Sequence, residues 1–160
     1  MAPATRNTAL ATKISQMRLS IAPIVHVETG IPPPQFPSTM LELFLLTEDQ
    51  LDTMAQFYSQ RTPSALTHSY PQTMEWNRPF LAKEEDGAPL DEKCRLSDYE
   101  RLKVKMRMFA RFIGMRGAET PQWEYERQVE ILEAKIDRGI KEAERTLSAE
   151  KKFYRGPTLP

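Results

Sequence analysis

Basic side chains are clustered between residues 98 and 116, where their spacing suits the binding of phosphate groups. This stretch has six Lys or Arg residues and two acidic ones, a local net charge of 6 − 2 = +4. Clustered Lys and Arg neutralise nucleic-acid phosphates, and Phe109 or Phe112 nearby could stack on bases. One hypothesis is therefore a small nucleic-acid-binding protein that contacts its ligand through Arg101, Lys105, Arg107 and Arg111.

Catalytic and metal-binding signatures are much weaker. His26, His68 and Cys94 are the imidazoles and the thiol of the chain, and no two of them have metal-ligand spacing. Four carboxylates share one side of a C-terminal helix (Glu126, Glu130, Glu133 and Asp137), but the Glu-x-x-His pairs of di-metal bundles are missing. The sequence has no Gly-rich phosphate loop and no nucleophile motif. We therefore expect neither an enzyme nor a bound metal or cofactor.

Composition predicts an ordinary water-soluble domain. The 160 residues are 40% hydrophobic and 28% charged, with zero net charge, so no overall field attracts the chain to nucleic acid or membranes. The single cysteine excludes an intramolecular disulfide framework, which favours an intracellular location, cytoplasmic or nuclear. No apolar run approaches the roughly 18 residues of a membrane span.

A helix is predicted over about 98–114, because Ser97 and Glu100 form a capping box before an apolar-periodic run. It has two apolar sets on nearly opposite sides, and such a helix either lies between two layers or uses one face at a partner. The first set is Tyr99, Leu102, Met106, Phe109 and Ile113. The second set is the predicted protein interface, together with one residue of the next helix: Val104, Met108, Phe112, Met115 and Ile131.

A longer helix is predicted over 121–152, with Thr120 as N-cap and Pro121 in the first turn. Its apolar stripe repeats at spacings of 3 and 4, along Tyr125, Val129, Leu132, Ile136, Ile140, Ala143 and Leu147. The short link predicts an antiparallel hairpin in which this stripe packs on the preceding helix. The acidic flank of the second helix would then lie beside the basic sides of the first.

The first 96 residues predict shorter and looser segments. Residues 1–30 form a basic arm, either disordered or a targeting presequence, in which case the location would be the mitochondrial matrix. Prolines at 32–34 and 37 predict a stiff spacer. Helices are expected over about 39–60: a short one in the apolar run before Thr47, and a second from about Glu48 to Gln60 that a capping box of Thr47 and Gln50 opens. A Pro-rich irregular strap follows over 62–96, in which Tyr70 and Trp76 are candidate anchors to the core. Residues 156–160 are a tail.

Together these patterns predict a mainly α fold: a C-terminal antiparallel helical hairpin, shorter N-terminal helices and the Pro-rich strap, with residues 31–155 as one helical domain. The favoured function is a non-enzymatic protein-interaction or scaffold module, in which amphipathic helices associate with a second copy or with a partner protein. Nucleic-acid binding through the basic helix is the alternative.

Overall fold

The protein is mainly helical. The computed structural model describes residues 7–83 and 92–153, with side chains as far as residue 149. Within these ranges there is no β-strand, and one isolated bridge joins Ser20 to Thr39. The predicted tail at 156–160 and the first six residues of the N-terminal arm lie outside the described residues. The α-helices of the described ranges are α1 (Thr8–Met17), α2 (Met40–Phe44), α3 (Glu48–Phe57), α4 (Asp98–Phe112) and α5 (Gln122–Phe153).

Local sequence signals set the ends of α3 and α4. Both predicted capping boxes are present: Thr47 with Gln50 opens α3, and Ser97 with Glu100 opens α4. At the end of α4, Gly114 adopts a positive φ of 80°, and the amide of Met115 donates to the carbonyl of Ala110. This is a Schellman motif, in which glycine at the left-handed position ends the helix without a Cβ clash.

The described part of the N-terminal half contains three α-helices. The arm contains α1, whose first turn is capped by Asn7 because its side chain accepts from the amide of Leu10. The two helices expected over about 39–60 are present, and Leu45 ends α2 before Thr47 caps α3.

The core lies between α3 and α4. α3 contributes Leu51, Met54 and the following Tyr58, all fully buried. Val104 and Phe109 are their fully buried counterparts on α4. Complete burial of a side chain of this size stabilises a fold by about 1.5–3 kcal/mol. These apolar side chains therefore contribute strongly to holding α3 against α4.

The irregular segments are held to this core by specific polar contacts. The hydroxyl of Tyr58 donates to the carbonyl of Ile24 at 2.6 Å. The buried amide of Gln60 donates to the carbonyl of Thr67 at 2.9 Å and accepts from the amide of Met74 at 3.0 Å. Of the two candidate anchors, Tyr70 is buried against Phe112, with ring centroids 5.3 Å apart, and Trp76 is also buried.

A cluster of buried charges also joins α3 to α4. Glu48, in the first turn of α3, accepts from Arg101 Nε at 2.6 Å and from Lys105 Nζ at 2.8 Å. Asp52 accepts from Lys105 at 2.6 Å and from the indole nitrogen of Trp76 at 2.8 Å. No buried polar side-chain atom in the described part of the chain is left without a hydrogen-bond partner. The cluster is therefore fully paired, which is the condition under which buried charges are tolerated.

The charge on Glu48 depends on these partners. Its burial alone would raise the pKa, but hydrogen bonds from Arg101 and Lys105, together with their positive charges, outweigh burial and lower the pKa from 4.5 to about 2. A carboxyl group whose pKa is lower in the folded protein than in the unfolded chain stabilises the fold at any pH above its unfolded pKa. This stabilisation is lost as the pH falls from the unfolded pKa to the folded pKa.

We therefore expect acid to weaken the fold between about pH 4.5 and pH 2, and Glu48→Gln to remove part of that dependence. At pH 7 the same change should cost about 1–3 kcal/mol, because it replaces a carboxylate shared by two buried cations with a neutral amide, while Arg101 keeps Asp98 and Lys105 keeps Asp52. Urea unfolding followed by circular dichroism at several pH values measures both effects. Glu119→Gln, at an exposed position in the link between α4 and α5, is the control and should keep the wild-type pH slope. An unchanged slope in Glu48→Gln would contradict this assignment.

Candidate interaction surface

The long helix α5 exposes its apolar stripe to solvent. Its six large apolar side chains are each between 52% and 61% exposed: Tyr125, Val129, Leu132, Ile136, Ile140 and Leu147. The sequence assigned this stripe to packing on α4, and the structure does not show that packing. A continuous row of half-exposed apolar side chains along one helix is unusual for a surface that remains in water.

The opposite face of α5 attaches the helix to the rest of the protein. Ile131, which is 1% exposed, and the buried Glu124 lie on this face. The carboxylate of Glu124 accepts from Arg107 Nε at 2.7 Å and from Arg107 Nη2 at 2.8 Å. Arg127 donates to the carbonyl of Arg95 at 2.9 Å. These contacts fix the rotation of α5 about its axis, and the stripe consequently faces outward.

Beyond this attachment the helix extends into solvent. Every residue from Gly139 to Ala149 is exposed. Isolated helical segments of this length are marginal in water, because most helical stability in proteins comes from packing one face against other elements. The C-terminal part of α5 thus has the apolar face of a packed helix but no packing within the described chain.

The stripe has a regular period of 11 residues. Tyr125, Ile136 and Leu147 are separated by 11 positions each, as are Val129 and Ile140, and Leu132 and Ala143. An 11-residue period corresponds to 3.67 residues per turn, close to the 3.6 of a straight α-helix. The stripe therefore runs almost parallel to the helix axis, and a second helix can stay in contact along its whole length.

The two flanks of the stripe differ in charge. On one side, five carboxylates follow the helix within its described side chains: Glu126, Glu130, Glu133, Asp137 and Glu144. The other side carries Gln128, Lys135, Gly139 and Thr146, with Glu142 as its one described carboxylate beyond the attachment, paired with Arg138 at 2.9 Å. This acidic flank does not lie against the basic side of α4, as the sequence predicted, because α4 directs its cations toward Glu48 and Asp52 of α3 and toward Glu124.

A second apolar surface lies between α2 and α4. Met40, Phe44, Leu102, Met106 and Met115 line a groove of about 640 Å³. Its rim includes Lys103, whose ammonium lies 5.1 Å from the ring centroids of both Tyr99 and Trp123. Leu41, Phe44 and Leu45 around α2 are at least half exposed.

Four of the five predicted interface residues are in the interior. Val104, Met108, Phe112 and Ile131 are each at most 5% exposed, and Met115 is partly buried beside the groove. The apolar set that we assigned to a partner therefore packs inside this chain, and α4 instead exposes part of its other set, with Tyr99 at 69%. Spacing identifies apolar faces but does not tell which of two faces meets the core, because both have the same period.

The residues predicted to bind nucleic acid are mostly engaged in ion pairs. Arg101 and Lys105 are buried with Glu48, and Arg107 is paired with Glu124. Arg111 is exposed. Three of the four predicted contacts are thus paired with carboxylates inside the chain, and among the basic residues of 98–116 the exposed ones are Lys103, Arg111 and Arg116.

The remaining candidates for chemistry do not come together. The ring of His26 packs edge-on against Phe57 at 5.3 Å, His68 is exposed in a short 3-10 turn, and Cys94 is buried. Among the described residues, no three His, Cys, Asp or Glu side chains are grouped so as to hold a metal ion. None of the helices in those ranges combines the length and apolarity needed to cross a membrane.

Comparison with models of protein families, with curated proteins and with solved structures finds no match to this chain.

Two isoleucines of α5 provide a direct test of this orientation. Ile131→Ala should lower the free energy of unfolding by about 2–5 kcal/mol, because it opens a cavity in the interior. Ile136→Ala removes the same atoms from an exposed site and should change the stability by at most about 0.5 kcal/mol. Urea unfolding of dilute protein measures both, each variant being the control for the other. Equal losses would mean that α5 is not rotated as described.

Proposed function

We propose that this protein is a non-enzymatic interaction module, and that the exposed stripe of α5 is its binding surface. The proposal rests on a 32-residue helix that is attached to its own chain by the N-terminal part of one face and leaves a regular apolar stripe exposed on the other. Covering such a stripe removes apolar area from water, which is the dominant favourable term in most protein–protein association.

Three features support a protein partner over other ligands. The acidic flank repels the phosphates of nucleic acids and of anionic lipids that approach along that side of the stripe. The straight, extended stripe suits another helix better than a small molecule, which requires a concave site. The solvated end of α5 would also become more stable by pairing.

The location that goes with this function is intracellular, cytoplasmic or nuclear. It rests on the single cysteine, which argues against a disulfide-dependent extracellular protein. The mitochondrial matrix is the alternative if the basic arm at residues 1–30 acts as a presequence.

Charge placed on the stripe should abolish association without unfolding the protein. Leu132→Glu with Ile136→Glu introduces two negative charges at exposed positions, so thermal stability should change little, while self-association or partner binding should weaken by about 100-fold or more. The matched control is Lys141→Glu, which changes the net charge by the same amount at an exposed site away from the stripe.

Two measurements on the full chain read out this comparison. Sedimentation velocity of the purified protein reports self-association. Photo-cross-linking in cells, with benzophenone-alanine at Ile140, reports partners that touch the stripe. If the double variant keeps every association of the wild type, or if the wild type associates with nothing through this stripe, the proposed function is wrong.

A further inference from the structure

We infer that the partner of the α5 stripe is α5 of a second copy of this chain, and that the two helices run parallel. The inference rests on the proposed function, since it names the occupant of the same surface. It is carried by the spacing of the stripe and by the unequal charge of its two flanks.

The spacing favours a second copy. A partner helix stays in contact along the stripe when its own apolar residues follow a matching period. A second α5 supplies that period by identity, and in a parallel pair each stripe residue faces its own counterpart. One part of the stripe also places a leucine, Leu132, between two β-branched residues, Val129 and Ile136. In heptad coiled coils this order favours parallel two-stranded pairing.

The flank charges decide the direction. In an antiparallel pair, equivalent flanks meet, so the row of carboxylates on one helix would face the same row on the other, with Glu133 beside the second copy's Asp137. Shifting the register does not relieve this repulsion, because the acidic flank extends from Glu126 to Glu144. An antiparallel pair is therefore disfavoured at every overlap.

In a parallel pair, the acidic flank of one helix faces the polar flank of the other. Lys135 then lies at the level of Glu133 and Asp137 of the second copy, and the two-fold symmetry produces the same attraction on both sides. Gly139 lies next to the stripe on this polar flank, where the absence of a side chain allows the helices to approach closely. Charge and shape thus agree on the parallel arrangement.

The attachment of α5 to its own chain is compatible with this pairing. The side chains that fasten it, Glu124, Arg127 and Ile131, lie on the side away from the stripe. The members of the stripe nearest to that attachment, Tyr125 and Val129, are still at least half exposed. Two copies can therefore join along α5 without opening the α4–α5 contact.

Single cysteines in the stripe distinguish the two directions. In a Cys94→Ala background, Val129→Cys and Ala143→Cys each place a thiol at an exposed stripe position. In a parallel pair, the cysteine at position 129 lies beside position 129 of the second copy, and the cysteine at position 143 lies beside position 143. Their Cα atoms are then within the roughly 4.4–6.8 Å that a disulfide requires. An antiparallel pair centred on Ile136 instead brings position 129 against position 143.

The full-length variants are oxidised separately and as an equimolar mixture, with covalent dimers identified by mass spectrometry. We expect each variant to form its own dimer and the mixture to contain no 129–143 product beyond that of an unfolded control. A 129–143 product that exceeds the two self-linked dimers would overturn the parallel arrangement. Absence of all three products, with a wild-type protein that is monomeric in sedimentation equilibrium, would overturn self-association.

The flank charges have a separate test. Lys135→Glu should weaken the dimer by about tenfold or more, because it replaces attraction to Glu133 and Asp137 of the second copy by repulsion on both sides. Lys141→Glu, with the same change in charge away from the stripe, should leave the dimer unchanged. An equal effect of the two variants would contradict the charge argument.

Failure of this inference is distinguishable from failure of the proposed function. A monomeric protein whose stripe photo-cross-links to a different protein, and loses that product in Leu132→Glu with Ile136→Glu, would refute the second copy as occupant and leave the interaction function in place. A stripe that contacts no protein refutes both.

Discussion

The ion pair between Arg107 and Glu124 is the contact on which the presentation of α5 depends. Glu124 is almost completely buried, and removing one member of such a pair leaves an uncompensated charge, which typically costs about 3–5 kcal/mol. The carboxylate reaches Arg107 only when its side of α5 faces the rest of the protein. Because the stripe lies roughly opposite on the helix, satisfying this pair leaves Val129, Leu132 and Ile136 in solvent.

The basic residues of α4 have a structural role that explains their pattern. Arg101 and Lys105 are one turn apart on the same side of the helix, and both reach Glu48 in the first turn of α3. The dipole of α3 also favours a negative charge in the first turn, so the ionised form of Glu48 is stabilised by the helix itself as well as by the two cations. The cluster joins the same two helices as the apolar core, so Arg101 and Lys105 serve the fold and are not available to an external ligand.

Several parts of this fold could be predicted from local sequence because local chemistry determines them. The mainly helical class, the capping boxes at Thr47 and Ser97 and the glycine end of α4 all depend on residues a few positions apart. The partners of the charges could not be predicted in this way, since Glu48 and Arg101 are 53 positions apart. The sequence favoured α5 as the counterion of α4, whereas most of the pairing is with α3.

The candidate surface was visible in the sequence but was assigned to the wrong contact. An apolar stripe of regular period is equally consistent with packing inside the chain and with packing on another molecule. The residue that distinguishes these two possibilities is Ile131, a large aliphatic residue on the side of α5 away from the stripe. The carboxylate of Glu124 lies on this side too, and both residues are buried. A helix of this length with a second, shorter attachment face does not need its long stripe to hold the fold together.

Hydrogen exchange of the α5 backbone at several protein concentrations shows directly whether the stripe pairs with a second copy. If the stripe pairs with a second copy, amides from 139 to 149 exchange quickly in dilute protein and become protected as the concentration rises. Amides near Ile131, which packs in the interior, should be protected at all concentrations. Exchange from 139 to 149 that is equally fast at every concentration would contradict self-association through α5.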